Sequence, residues 1–217
     1  MESSSMSEKT ALVWGATGGI GQAITQCLTA DGWQVVAFSR HPDELDGIAA
    51  HMLEADVADP FSIQRAVTAA SQEASEAGMF VYAAGDITSE PAGKMTPDAW
   101  RRILDANLTG AFLAVHYSLP LLTADAPLVF LGAVSERLRL PGLSAYVAAK
   151  AGLEAFAEVL RKEERKRRVI LVRPGAVNTA FWQKVPFRMP ANALSPEQVA
   201  ERIVSAIANG HNGILDL

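Results

Sequence analysis

Cysteine is nearly absent from the 217-residue chain, which contains only Cys27. A single thiol cannot form an internal disulfide or supply a thiolate cage for a metal ion, so the composition favours a reducing compartment. We therefore expect a cytoplasmic protein. The four histidines, His41, His51, His116 and His211, lack the spacing of a metal site, and no metal centre is predicted.

An excess of basic residues is also lacking. The chain has 19 lysines and arginines against 24 aspartates and glutamates, which gives a formal net charge of −5. Because attraction to phosphate requires a basic surface, we expect no nucleic-acid partner. The basic run at residues 161–168 is interpreted as the solvated end of a helix, where cations also suit the helix dipole.

Long, purely apolar runs are missing as well. Residues 106–124 carry no formal charge, but they include Asn107, His116 and Pro120, which would be costly in hydrocarbon. The serine-rich start of the chain has no apolar core and is not typical of a signal peptide. We therefore interpret 106–124 as a buried helix and expect no membrane partner.

Short apolar runs and longer amphipathic segments alternate along the chain. The short runs predict strands at 10–14, 33–38, 51–57, 79–84, 127–132, 169–173 and 214–217. The amphipathic segments predict helices at 20–31, 60–77, from 96 or 97 onward, 108–122, 144–166 and 196–209. Such alternation implies parallel strands joined by right-handed crossovers. Several strands are apolar on both faces, as expected when helices cover both sides of a sheet.

These patterns predict an α/β fold: a single-domain, doubly wound parallel sheet of the Rossmann type. We expect this domain to span residues 10–217, with residues 1–9 as a disordered tail. In such sheets ligands bind beyond the carboxyl ends of the strands, where the strand order reverses. The residues that directly follow each strand are therefore the first candidates for a functional site.

The turn after the first predicted strand is rich in glycine, with Gly15, Gly18, Gly19 and Gly21. Glycines let the backbone turn tightly and approach a pyrophosphate, which the free N–H groups at a helix N-terminus can bind. The spacing is not G-x-G-x-x-G, and glycine also ends strands for purely structural reasons. Its place in the first strand–helix unit favours dinucleotide binding.

Tyr146 and Lys150 are four residues apart in a predicted helix and therefore share one face. A nearby ammonium group favours the phenolate and lowers the pKa of a tyrosine, which suits a general acid or base. The alternative is an amphipathic helix with a partly exposed tyrosine and a solvated lysine. The pair alone does not decide between the two.

Three further motifs complete an ordered set: Ala84-Gly85, Asn107-Leu108-Thr109-Gly110, and Pro174-Gly175-Ala176-Val177-Asn178-Thr179. Together with the glycine-rich turn and the Tyr-Lys pair, this order resembles the short-chain dehydrogenase/reductase family from Thr10 onward. The compact branch matches better than the extended branch of sugar epimerases and dehydratases, which has a longer C-terminal region. The resemblance implies hydride transfer between a nicotinamide dinucleotide and a carbonyl or alcohol carbon of a small molecule.

The resemblance also implies roles for individual residues. Tyr146 would be the general acid or base, Lys150 would lower its pKa and hold the ribose, and Asn107 would hold a water in a proton relay. For Asn107 the alternative is a side chain that bonds the backbone of its own helix. By the same resemblance, Asp56 and the Val57 backbone would contact the adenine, and Pro174, Gly175, Val177 and Thr179 would form the nicotinamide edge. The other implied cofactor contacts are Gly15, Thr17, Gly18, Gly19, Ile20, Gly21, Ala84 and Gly85.

The end of the second strand, Ser39-Arg40, indicates the type of cofactor. An acidic residue there would accept hydrogen bonds from a ribose 2′-hydroxyl and repel a 2′-phosphate. Arginine instead offers a bidentate fork to phosphate, and serine adds an uncharged donor. NADP is therefore favoured, with NAD as the alternative; an exposed arginine at a strand end is also common.

The chain departs from the family pattern at three places. Trp14 stands where the family commonly has threonine, and Tyr82-Ala83 where it has two asparagines. The family's carbonyl-polarising serine lies thirteen residues before the tyrosine, where this chain has Ala133, and Ser135 follows two residues later. Losing one donor to a developing oxyanion typically costs ~3 kcal/mol. The sequence therefore leaves two functions open: an NADP-preferring oxidoreductase, or a dinucleotide-binding regulator or redox sensor with weak catalysis.

Two further segments carry expectations. The aromatic-rich residues 180–195 predict a lid over an apolar substrate, or else a loop packed on the core or at an oligomer contact. The helix that begins at Ser144 has two apolar stripes, of which one can cover the sheet and the other can pack on a twofold partner. As the family commonly oligomerises, we expect a homodimer or homotetramer.

Overall fold

The structure is a computed structural model that describes residues 9–45 and 47–217. Its strands are β1 (Thr10–Trp14), β2 (Gln34–Ser39), β3 (His51–Glu54), β4 (Met79–Tyr82), β5 (Leu128–Leu131), β6 (Val169–Arg173) and β7 (Gly213–Asp216). Its α-helices are α1 (Gly19–Ala30), α2 (Pro60–Glu73), α3 (Pro97–Leu104), α4 (Gly110–Ser118), α5 (Ser144–Glu163) and α6 (Pro196–Ala208). The predicted tail at residues 1–9 lies outside the described residues except for Lys9.

The strands form one parallel sheet in the order β3-β2-β1-β4-β5-β6-β7. The order reverses between β1 and β4, which makes this the switch point where ligands bind in doubly wound folds. Strands, helices and order confirm the predicted single-domain Rossmann-type fold. No helix in the described part of the chain is long and apolar enough to cross a membrane.

Two hydrophobic layers cover the sheet, one on each face. Residues of α1 and α6, including Ile24, Leu28 and Ile203, pack on one face. Residues of α2, α4 and α5, including Ile63 and Leu153, pack on the other. Because both faces are buried, alternate residues of each strand belong to opposite layers, as Val13 and Trp14 do.

Several predicted elements end earlier in the structure than in the sequence analysis. The helix predicted at 60–77 ends at Glu73, because Ala74 is extended and Ala77 makes a bridge with Leu122. The strands predicted to reach 57 and 84 end at Glu54 and Tyr82. In both strands the pairing stops first, at Glu54 opposite Ser39 and at Tyr82 opposite Trp14 and Phe130.

The two helices predicted around residue 108 are parts of one helical segment. A π-helical turn, Asp105–Thr109, joins α3 to α4, so the chain stays helical from Pro97 to Ser118. Such turns insert one extra residue into a helix and are frequent at functional sites. Here the turn carries the Asn107 motif.

Candidate active site

The glycine-rich turn fits tightly against the end of β4. Gly15 has a positive φ of 75°, and a Cβ added there would lie 2.4 Å from the backbone nitrogen of Ala84. A Cβ on Gly21 would lie 2.2 Å from the Gly15 carbonyl oxygen. Both positions therefore require glycine. The turn and Ala84 therefore lie in direct contact.

The helix that follows presents its N-terminus to solvent. Gly18 is the N-cap of α1 and offers no side chain to cap it, and both Gly18 and Gly19 are exposed. Backbone N–H groups in the first turn of a helix have no intrahelical acceptor and can bind an anion. A Cβ on Gly19 would also lie 3.0 Å from Cγ2 of Thr179, so this turn faces the segment after β6.

The residues expected to contact the adenosine half of the cofactor differ in their exposure to solvent. Ser39 is buried, and its hydroxyl bonds the Thr17 hydroxyl at 2.7 Å and accepts a hydrogen bond from the His41 backbone N–H at 3.1 Å. Arg40 is exposed beside it. Ser39 thus ties the glycine-rich turn to β2, and Arg40 is the side chain of this pair that solvent can reach.

The predicted adenine contact lies after β3. Asp56 is exposed; its Oδ1 accepts a hydrogen bond from the backbone N–H of Ala58, and its own N–H donates to Ser62 Oγ. Val57 is partly buried against the hydrophobic layer that contains Trp14. Asp56 and Val57 do not line the cavity described next, and neither do Ser39 and Arg40.

A cavity of about 460 Å³ opens at the carboxyl ends of β4, β5 and β6. Nine of the predicted site residues line it: Ile20, Ala84, Gly85, Tyr146, Lys150, Pro174, Gly175, Val177 and Thr179. The rest of its wall is mainly apolar and includes Ile87, Leu138, Leu143, Phe181, Trp182 and Phe187. The structure thus brings the Tyr-Lys pair and the predicted nicotinamide edge into one apolar chamber.

Tyr146 and Lys150 lie on the first turns of α5, and both are buried. The Lys150 Nζ donates to the Leu131 carbonyl oxygen at 2.7 Å and lies 5.7 Å from the centroid of the Tyr146 ring. Burial lowers the pKa of Lys150 to about 7, and burial raises the pKa of Tyr146 above its usual value. The convergence of the two side chains is as predicted, whereas the shift of the tyrosine pKa is opposite to the expectation.

The reason for this reversal is desolvation. An anionic phenolate in an apolar wall loses hydration, and an ammonium group in the same wall loses part of its own charge. The cation that was expected to stabilise the phenolate is therefore weakened by the same burial. Tyr146 is protonated at neutral pH, which is the form that a proton donor requires.

Asn107 is fully buried within the π-helical turn. Its Nδ2 donates to the carbonyl oxygens of Ile103 at 2.8 Å and Asp86 at 2.6 Å. Its Oδ1 accepts no hydrogen bond from any described residue and lies 2.8 Å from where a Cβ on Gly85 would be. The side chain does bond the backbone of its own helix, and it also joins that helix to the end of β4.

Comparison with known proteins agrees with this geometry. Residues 9–188 match the family model described as short chain dehydrogenase. This protein belongs to the short-chain dehydrogenase family. Members of this family are oxidoreductases that bind NAD(P), so the earlier resemblance is confirmed at the level of the family.

Individual relatives have diverse activities. A 3-oxoacyl-[acyl-carrier-protein] reductase, MabA, of Mycobacterium tuberculosis is 30% identical over 190 residues, which cover 86% of this chain and 76% of the relative. A serine 3-dehydrogenase of Agrobacterium fabrum is 29% identical over 182 residues, covering 79% and 73%. An alcohol dehydrogenase of Thermococcus sibiricus, solved with 5-hydroxy-NADP, superposes with a TM-score of 0.88 at 22% identity, covering 97% and 96%. The last comparison supports the fold alone.

Ala133 occupies the position at which the family commonly has its carbonyl-polarising serine. Ala133 is buried and lines the cavity, whereas Ser135 is buried at the start of a 3₁₀ turn, Ser135–Leu138, and does not line it. Ser135 is therefore not brought to the site. Among the described residues, no group of histidine, cysteine and acidic side chains could hold a metal ion.

The two other departures of this short-chain dehydrogenase from the family pattern are structural. Trp14 stacks on Phe38 with ring centroids 4.0 Å apart, inside the hydrophobic layer. Tyr82 is fully buried, and its hydroxyl donates to the Ala106 carbonyl oxygen in the π-helical turn at 2.8 Å. A Cβ on Gly110 would lie 2.6 Å from that hydroxyl oxygen. Tyr82 and Gly110 thus support the turn that carries Asn107.

One polar group beside the cavity, Asp86, is not among the residues predicted from the sequence. Asp86 directly follows Gly85 and pairs with Arg102 of α3 and Lys184 of the segment after β6. A polar residue in the loop that follows a strand of a parallel sheet is itself a signal of a site. Its partners could not be identified, because Lys184 is 98 residues away in the chain.

Proposed function

We propose that this short-chain dehydrogenase transfers hydride between NADP(H) and a small or medium carbonyl or alcohol, with Tyr146 as its general acid or base. The observation that carries the proposal is the burial of Tyr146 and Lys150 in the same apolar cavity as Pro174, Val177 and Thr179. A chamber of this kind excludes water and holds a proton donor against a reacting carbonyl.

The residues present fit a dinucleotide. The contact between Gly15 and Ala84 and the uncapped α1 N-terminus form a cradle that side chains would fill, and this cradle leads to Thr179 through Gly19. When bound there, the cofactor would supply or accept the hydride. Gly18, Gly19, Ile20 and Gly21 would hold the pyrophosphate, and the residues after β6 would orient the nicotinamide.

Three residues of the chain would transfer the proton, bind the ribose and hold a water. Tyr146 would donate the phenolic proton to the carbonyl oxygen in reduction, or take it back in oxidation. Lys150, fixed by the Leu131 carbonyl, would hold the ribose and supply positive charge near the phenol. The free Oδ1 of Asn107 would accept a hydrogen bond from a water that returns protons from solvent.

A panel of carbonyl compounds tests this function. With NADPH and an apolar aldehyde or ketone, oxidation followed at 340 nm should be faster than with a sugar, because the wall offers few hydrogen-bonding side chains to a polyol. Binding of NADPH without turnover of any carbonyl would favour the second candidate, a dinucleotide-binding regulator or redox sensor. Ala133 is the observation that favours this second candidate.

Arg40 should decide between NADP and NAD. Arg40→Ala should weaken NADPH binding by about 1–3 kcal/mol, because it removes a charge-assisted contact to the 2′-phosphate, and should leave NADH binding almost unchanged. Fluorescence titration of both cofactors measures this difference. Arg165→Ala is the matched control, since Arg165 is exposed past the end of α5, near the opposite edge of the sheet. Equal losses for both cofactors would contradict a preference for NADP.

The exposed face of α5 supports a homodimer or homotetramer. Leu153, Ala157 and Leu160 cover the sheet, whereas Ala148, Ala155 and Val159 are exposed. Phe112 of α4 is exposed as well, and its ring contacts Phe156 of α5. A second copy of the chain would bury this face. Light scattering at micromolar concentration should give at least twice the monomer mass of 23.1 kDa, and Val159→Glu should shift it towards the monomer. A monomer in the unsubstituted protein would refute the proposal.

A cytoplasmic location remains part of the proposal. It is supported by the composition, in which Cys27 is the single thiol and cannot form an internal disulfide. Cys27 is partly buried on α1, and burial raises its pKa, so it is not an activated nucleophile.

A further inference from the structure

The segment between Val177 and Leu194, residues 178–193, forms a loop whose two ends meet; we call it the lid. The Asn178 N–H donates to the Leu194 carbonyl oxygen, and the Leu194 N–H donates to the Ala176 carbonyl oxygen, both at 2.9 Å. These bonds fix the base of the lid at the end of β6. Its side chains Phe181, Trp182, Val185, Phe187, Arg188 and Pro190 line the cavity.

The lid is fastened a second time, at the end of β4. Lys184 Nζ lies 2.7 Å from Asp86 Oδ1, and the Phe181 ring lies 3.7 Å from the place of a Cβ on Gly85. Because β5 separates β4 from β6, the lid crosses the carboxyl end of β5, where Ala133 lies. The Lys184–Asp86 pair therefore closes the lid over the reacting part of the cavity.

At this second anchor of the lid, one carboxylate faces two cations. The Asp86 side chain is 16% exposed and faces two cations, Lys184 and Arg102, each about half exposed. Burial lowers the pKa of Lys184, and the positive charges of Arg102 and Arg40 lower it further. Without the carboxylate, Lys184 and Arg102 would face each other as like charges, so the lid would be pushed away as well as released.

Asp86 also contacts the catalytic machinery proposed above. Its backbone carbonyl oxygen accepts the hydrogen bond from Asn107 Nδ2 at 2.6 Å. One residue thus anchors both the lid and the side chain that orients the relay. Arg102 connects the same residue to α3, the helix that leads into the π-helical turn.

We propose that Asp86 is a positioning residue that holds the lid closed through Lys184 and thereby limits exchange of ligands with the cavity. The part concerning exchange rests on the proposed function, because it takes the cavity as the binding site. The part concerning the lid does not, since opening of the lid is measured on the protein without cofactor or substrate.

Hydrogen–deuterium exchange of the lid, without cofactor or substrate, tests the proposal directly. Asp86→Asn should speed exchange in residues 180–187 roughly tenfold, the size expected when a charge-assisted bond is lost. Lys184→Gln should speed it less, because it removes the bond without leaving two facing cations. Adding Lys184→Gln to Asp86→Asn should therefore slow exchange again, and Lys184→Arg should stay near the unsubstituted protein.

Asp98→Asn is the matched control. Asp98 lies on α3 and pairs with Arg101 at 2.9 Å, but it is highly exposed and does not touch the lid. Exchange of the sheet amides in each variant reports whether the fold is retained. If Asp86→Asn fails to fold, Lys184→Gln, which alters an exposed side chain, still tests whether the Asp86–Lys184 pair holds the lid closed.

Two outcomes would overturn the proposal. One is lid exchange in Asp86→Asn or Lys184→Gln within twofold of the unsubstituted protein; the other is an equal increase in Asp98→Asn. In a protein that binds NADPH, stopped-flow fluorescence should also show faster cofactor dissociation in Asp86→Asn. Absence of any NADPH binding would count against the proposed function but would leave the exchange result on the lid valid.

Discussion

Tyr146→Phe should lower kcat by about 10²–10⁴-fold, the usual contribution of a general acid, while NADPH affinity stays within about twofold. The substitution keeps the ring in the cavity wall and removes only the hydroxyl, so the packing of α5 is preserved. Turnover is followed by NADPH oxidation with the best substrate of the panel, and affinity by cofactor fluorescence. Lys150→Met should impair both quantities, because the proposed contact to the ribose is lost with the charge.

Tyr117→Phe is the control for removal of a phenolic hydroxyl. Tyr117 lies on α4, is partly buried in the hydrophobic layer and does not line the cavity, so its substitution should leave kcat unchanged. Full activity of Tyr146→Phe with a confirmed substrate would remove the proposed mechanism. An equal loss in both variants would indicate a general effect on the fold.

Ala133→Ser should raise kcat by up to ~10²-fold, if the chemical step limits turnover, since it adds a donor for the developing oxyanion. Ala133 lines the same cavity as Tyr146 and Lys150, so a hydroxyl there would face the space in which the carbonyl is proposed to bind. The added atom also enters a cavity rather than a packed interior, and the fold should tolerate it. Steady-state rates with saturating NADPH measure the gain.

Ser135→Ala tests whether Ser135 replaces the hydrogen-bond donor to the carbonyl that is absent at Ala133. Because Ser135 is buried and does not line the cavity, its replacement should leave the rate unchanged. A large loss in Ser135→Ala, with no gain in Ala133→Ser, would mean that Ser135 already serves the carbonyl through a rearranged loop. A gain in Ala133→Ser would instead weaken the case for a non-catalytic regulator.

The parts of the site that depend on local spacing could be predicted from the sequence. Gly15 and Gly21 follow from the tight turn between β1 and α1, and the approach of Lys150 to Tyr146 follows from helix geometry. The doubly wound parallel sheet could be predicted because strands that alternate with helices pair in parallel through right-handed crossovers. The family pattern then indicated the residues after β6 as cofactor contacts.

The parts that depend on contacts across the fold could not be predicted. The pKa shifts of Tyr146 and Lys150 arise from the surrounding wall, which comes from β5, β6 and the lid. The hydrogen bond between the hydroxyls of Ser39 and Thr17 could not be predicted either, because the two residues are 22 positions apart in the chain. The pair Asp86–Lys184 required knowledge of where the lid crosses the sheet.

The π-helical turn determines how the chain tolerates insertions and deletions. The turn takes up one extra residue without rotating the helix that follows, so Ala111, Ala114 and Val115 of α4 face the sheet. Loss of one residue from α3 or α4, outside the turn, would rotate everything beyond it by about 100° around the helix axis, and the α4 face would leave the sheet. Loss of one residue within Asp105–Thr109 would instead keep that face and remove only the local bulge, with its bond from the Tyr82 hydroxyl to the Ala106 carbonyl oxygen. Related sequences should therefore vary in length within this turn, after Ser118 or before Pro97, rather than within α3 or α4.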